Sequence, residues 1–100
     1  MLLEFSTFPA GQESMAKSVA RIIDLIDKSG LPYQTHALGT LVEGEWDEVM
    51  ELVKRCHLAM REDFNRVLTR ISIDDRKGYT GRITGKVRDI EDVLGRKIRK

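Results

Sequence analysis

The chain opens on "LLEFSTF", Leu2 to Phe8, a run rich in apolar and aromatic residues that Pro9, Ala10 and Gly11 stop. This predicts a strand. The rhythm then changes. In "ESMAKSVARIIDLIDKSG" the apolar residues Met15, Val19, Ile22, Ile23 and Ile26 recur at the spacing of an amphipathic helix. Gly30 is placed to end that helix, and Pro32 forbids its continuation. "YQTHAL", Tyr33 to Leu38, alternates as a strand does; Gly39 breaks it before a short strand "TLV", which Gly44 ends. From Glu45, "EWDEVMELVKRCHLAMREDF" is helical, with Trp46, Val49, Met50, Val53, Cys56, His57 and Met60 on one broad face. Glu45, Asp47 and Glu48 stand where a helix N-terminus favours negative charge. In "RVLTRISID", Val67, Thr69, Ile71 and Ile73 point one way and Leu68, Arg70, Ser72 and Asp74 the other.

The order strand, helix, strand, strand, helix, strand predicts an α+β fold. It is the ferredoxin-like βαββαβ sandwich, a four-stranded antiparallel sheet with two helices on one face. The other sheet face is left to a partner, a ligand or a polar surface. Residues 77–82, "KGYTGR", read as a loop, and "ITGKVRDIEDVLG" as a short C-terminal helix followed by a basic tail. The expected layout is one domain over 1–100, with a core at 2–76 and a C-terminal extension at 77–100.

Composition narrows the possible functions. One hundred residues do not hold two independent cores. A chain of this size buries only about 60–65% of its unfolded surface and gains from association. A net charge of +1 supplies no general attraction to nucleic acid or anionic membrane. The single cysteine, Cys56, excludes an internal disulfide and fits a reducing compartment. "MLLEFSTFPAG" lacks a basic leader, and no apolar run is long enough to span a bilayer, so a cytoplasmic location is expected.

Candidate chemistry is sparse. Cys56 and His57 are neighbours on a helix and point about 100° apart, poor geometry for a nucleophile and its base. A zinc site would need further ligands, and His36 is the only other histidine. The expectation is therefore no metal, with Cys56 in the core and His57 at its edge. No phosphate-binding glycine motif or nucleophile elbow is present. The glycines at 78, 81 and 85 read as a flexible connector, and the basic tail as a solvated terminus. The scattered aromatics do not form a stacking platform for RNA.

Glu43 stands at the joint of "LGTLVEGEWDEVM". Period two places Leu41 and Glu43 opposite Thr40 and Val42, so Glu43 falls on the open sheet face if Val42 faces the helices. It is read equally as a turn residue facing water or as a carboxylate of a small-ligand site. In the second reading the hydroxyl of Ser6 or the ring of His36 would converge with it.

"GTLVEGEWDEVMELVKRCH", Gly39 to His57, strongly resembles the signature of the small thiamine-binding protein family. "SVARIIDLIDKSGLPY" and "RISIDDRKG" extend the resemblance over roughly residues 3–96. It implies a non-catalytic, ferredoxin-like binder of thiamine or its hydroxymethylpyrimidine part, with no catalytic set and no cofactor to carry over. It also implies a homotetramer, built as a dimer of dimers. Thr40 and Glu43 carry over as ligand-binding residues; Ser6, His36 and Trp46 are added from strand geometry. Glu43 would accept from the pyrimidine amino group, the hydroxyls would meet the ring edge, and Phe8 or Trp46 could stack on the ligand. For Trp46, core packing is the competing role. Two rivals stand beside this reading. One is a structural or regulatory oligomer without a small ligand; the other is an enzyme pairing Glu43 with His36.

Overall fold

The computed structural model describes residues 1–11 and 16–99. Its elements are β1 (Leu2–Pro9), α1 (Ala16–Lys28), β2 (Tyr33–His36), β3 (Gly39–Glu43), α2 (Trp46–Asp63), β4 (Val67–Asp74) and α3 (Arg82–Leu94). The strands form one antiparallel sheet in the order β2-β3-β1-β4. This is the ferredoxin-like fold expected from the alternation of elements, with the C-terminal helix added. Met15, the first residue of the expected apolar stripe, lies outside the described residues.

The pleat of β1 sorts the two faces. Leu3, Phe5 and Thr7 are buried towards the helices, while Glu4, Ser6 and Phe8 lie on the other side. Ile22 and Ile26 of α1 meet Val49, Leu52, Val53, Cys56 and Met60 of α2 over Leu3, Phe5 and Val42, forming one core. Ser29 ends α1 by donating its hydroxyl to the Ile26 carbonyl at 2.6 Å. Gly30 then takes a left-handed conformation, φ +77°, that most side chains resist. Glu48 Oε1 accepts the Glu45 N–H at 3.0 Å, so the acids at the start of α2 engage backbone as well as its dipole. Arg21 ties the helices together, donating to Glu62 at 2.8 Å and Asp63 at 3.1 Å.

His57 stands at the edge of the core, as its neighbour Cys56 fills the centre. Its Nδ1 lies 2.6 Å from Thr69 Oγ1, and Thr69 donates to Thr7 Oγ1 at 2.8 Å. With the Thr69 proton committed to Thr7, His57 must donate from Nδ1, which fixes its tautomer. The helices do not cover the whole sheet: on β4, an edge strand, Ile71 and Ile73 face the helix side yet remain exposed. Trp46 departs from the packing expected of it. It begins α2 one turn before the first buried residue, Val49, and is 55% exposed, outside the core.

α3 is a full helix of 13 residues between two left-handed glycines, Gly81 and Gly95, and none of its residues is fully buried. No helix among the described residues is long and apolar enough to cross a membrane.

Candidate functional site

β1 and β3 pair Leu2 with Glu43, Leu3 with Val42, Glu4 with Leu41 and Phe5 with Thr40. Val42 faces the helices, so Glu43 lies on the open face with Leu2 and with Asp74 of β4. It is not left to water there: Glu43 is only 9% exposed. Its Oε1 accepts the backbone N–H of Ile83 at 3.2 Å, in the first turn of α3. Gly81, the residue before that helix, has no side chain to cap it, and the Glu43 carboxylate supplies the acceptor from another strand.

Around Glu43 the end of β3, the segment 31–33, the start of α2 and the start of α3 enclose a recess of about 590 Å³. That lies within the usual span of small-molecule sites, roughly 300–1,000 Å³. Glu43, Glu45 and Glu48 contribute carboxylates, Thr80 and Thr84 hydroxyls, and Leu31, Pro32 and Tyr33 the walls. Among the described residues no lysine or arginine lines it. Tyr33 donates its phenol to Asp27 Oδ1 at 2.9 Å, and this bond, with burial and the Asp27 charge adding to it, holds the phenol above its ordinary pKa. The recess is therefore acidic, partly apolar and aromatic on one side. That suits a flat cation with N–H donors.

The residues expected to converge on Glu43 do not do so. Ser6, His36 and Thr40 line a separate recess of about 180 Å³ against α1. Register is the cause. His36 pairs with Gly39, four residues from Glu43 along β3, or about 13 Å at strand rise. Thr40 turns to the helix face, where its hydroxyl lies 3.2 Å from that of Thr35. His36 is fully engaged elsewhere: its Nδ1 accepts the Leu38 N–H at 3.2 Å, so its Nε2–H donates across β3 to Glu4 at 3.0 Å. The Glu43–His36 pair required by the enzyme rival is thus not formed. Trp46 and Phe8 do not line the Glu43 recess either.

Sequence reasoning missed Tyr33, Glu45, Glu48, Thr80 and Thr84. The close spacing of Glu43, Glu45 and Glu48 was a usable signal, but a helix start explained two of the three acids. Nothing local linked Thr80 or Thr84 to a strand some forty residues away.

No group of three or more metal-ligating side chains able to hold an ion occurs among the described residues. Cys56 is fully buried, and that burial pushes its thiol up to about 11, making it a poor nucleophile near neutral pH.

The geometry has relatives. The UPF0045 protein MJ1052 of Methanocaldococcus jannaschii is 32% identical over 94 residues, 93% of this chain and 94% of that protein. Its crystal structure superposes with a TM-score of 0.82, covering 91% of this chain and 95% of that one. The UPF0045 protein Mb1933 of Mycobacterium bovis is 39% identical over 96 residues, 94% of each chain. A Thermotoga maritima structure, provisionally assigned to thiamine biosynthesis or salvage, is 26% identical with a TM-score of 0.78, covering 89% of this chain and 96% of that one. The model of the family described as "Thiamine-binding protein" matches residues 3–91, and this chain belongs to that family.

Proposed function

We propose that the protein binds thiamine or a related hydroxymethylpyrimidine, as a non-catalytic, cytoplasmic homo-oligomer. The observation that carries this reading is the Glu43 recess: three carboxylates and an aromatic wall, with no lysine or arginine among the described residues that line it, in a chain of the thiamine-binding family. Thiamine pairs an aminopyrimidine, which offers N–H donors, with a thiazolium cation. Glu43 would accept from the amino group through the oxygen not bonded to Ile83. Glu45 and Glu48 would balance the cation, and Thr80 or Thr84 would meet the ring edge. No catalytic pair is invoked, and the role is that of a carrier, buffer or sensor.

Titration calorimetry with thiamine and with hydroxymethylpyrimidine tests this, together with thermal melting. A bound ligand must raise the melting temperature by mass action, so absence of heat and of a shift at millimolar ligand would overturn the reading. One observation favours the rival structural oligomer: Glu43 already serves α3 through the Ile83 N–H. In that reading, melting depends on protein concentration and is insensitive to either ligand.

A further inference from the structure

Beside the Glu43 recess, on the far side of Met1 and the start of α3, lies a second recess of about 220 Å³ with the opposite charge. Arg76, Arg82, Lys86 and Tyr79 line it, and Asp74 is its one carboxylate. Two guanidinium groups share one phenol ring: Arg76 lies 3.7 Å from the Tyr79 centroid and Arg82 lies 5.6 Å from it. Arg82 is also held by Asp89, to which it donates at 3.1 Å, and its side chain is only 22% exposed. Lys86 stands one helical turn beyond Arg82, on the same side of α3. Among the described residues neither Arg76 nor Lys86 has an ion-pair partner. With Arg82 paired to Asp89, Arg76 and Lys86 bring two unpaired cations to a recess with one lining carboxylate, a balance that attracts a further anion.

The two recesses adjoin at Met1. Met1 lines both, and Arg82 stands between Gly81 and Ile83, which line the acidic one. A ligand with a cationic ring at one end and an anionic group at the other would match the charge of each in turn. We propose that the Arg76–Arg82–Lys86–Tyr79 recess takes a phosphate group, carried by a ligand whose ring occupies the Glu43 recess. The preferred ligand is then a phosphorylated form of the thiamine or pyrimidine compound. Arg82 keeps guanidinium N–H groups beyond the one used by Asp89, and arginine can meet a phosphate through two parallel hydrogen bonds. Lys86 adds a point charge, and the Tyr79 phenol a further donor. This inference rests on the reading of the Glu43 recess given above.

Calorimetry on the full chain with thiamine, thiamine monophosphate and inorganic phosphate separates the two. The monophosphate is expected to bind about tenfold or more tighter than thiamine, the scale of a charge-assisted hydrogen bond. In the double variant Arg76→Gln, Lys86→Gln that ratio falls towards one, while thiamine affinity and the melting curve stay unchanged. Equal affinity for the two compounds in the parent protein overturns the inference and leaves the Glu43 reading standing. If neither organic compound binds, the Glu43 reading fails. Inorganic phosphate binding that the double variant loses would then keep the recess as a site for free phosphate, and its absence would overturn that as well.

Discussion

Glu43 and Ile83, forty residues apart, are joined by one hydrogen bond: the carboxylate at the end of β3 accepts the backbone N–H in the first turn of α3 at 3.2 Å. The contact links fold and site. A helix N-terminus carries a partial positive charge and unsatisfied N–H groups, and a carboxylate answers both. The second oxygen, Oε2, makes no such bond among the described residues and is free for a ligand.

Replacing Glu43 separates its two tasks. Glu43→Gln keeps an oxygen acceptor for Ile83 but removes the charge, so thiamine affinity should fall about tenfold or more with α3 intact. Glu43→Ala removes both and should also cost about 1–2 kcal/mol of stability. Amide exchange at Ile83 tells them apart, with protection kept in the first variant and lost in the second. Loss of protection in both, with no effect on ligand, would mean that Glu43 serves only α3.

The sheet was legible because its signals are local. β4 alternates along its length, and Val67, Thr69, Ile71 and Ile73 share the face that period two gives them. The face of Glu43 followed from the same rule once Val42 was assigned to the core. Which residues share a row was not legible. Register between β1 and β3 sets Glu43 against Leu2 rather than Ser6, and alternation fixes faces without fixing register. The docking of α3 on Glu43 was invisible for a different reason, since a glycine N-cap carries no sign of an acceptor supplied from another strand. Trp46 misled because an apolar residue at helical spacing need not be buried when it lies a turn beyond the core.

Two glycines with similar close contacts should respond in opposite directions to alanine. A Cβ on Gly39 would lie 2.8 Å from the Phe5 carbonyl oxygen, a backbone atom of the neighbouring strand. Gly39→Ala should therefore cost about 1–3 kcal/mol, the usual range for overpacking. A Cβ on Gly85 would lie 2.9 Å from Arg82 Nη1, the far end of a long side chain rather than backbone. There the gain in helix propensity, about 0.5–1 kcal/mol, should outweigh the displacement. Urea unfolding of both variants checks the contrast, and destabilisation by Gly85→Ala would show that Arg82 cannot yield.

Association should run through α3. An isolated helix of fewer than about 12–15 residues is marginal in water, yet this one of 13 has no fully buried residue within its own chain. Ile90, Val93 and Leu94 are 45%, 88% and 51% exposed. Placing charge on this surface by Ile90→Glu and Val93→Glu should shift the protein towards monomer in light scattering and leave the sheet signal in circular dichroism unchanged. A parent protein that is already monomeric at micromolar concentration would refute the prediction.

Cys56 makes stability depend on alkaline pH. Burial raises its thiol pKa in the folded chain from 9.0 to about 11, because a thiolate in the core loses its hydration without gaining a partner. Above pH 9 the unfolded chain releases this proton while the folded chain keeps it. The unfolded state is then favoured, and stability falls as pH rises from about 9 to about 11. The contribution at stake is about 2–3 kcal/mol, complete below pH 9 and lost through the folded pKa. Tyr33, whose phenol is also raised by its bond to Asp27, acts with the same sign, so wild type alone cannot isolate the thiol. The comparison is with Cys56→Ala, which retains Tyr33 and lacks the titrating group. The variant should be less stable at pH 8 because it fills the core less well. Its deficit in urea unfolding should then shrink by about 2–3 kcal/mol between pH 8 and pH 11. A deficit that stays constant across that range would show that the thiol does not titrate differently in the folded and unfolded chains.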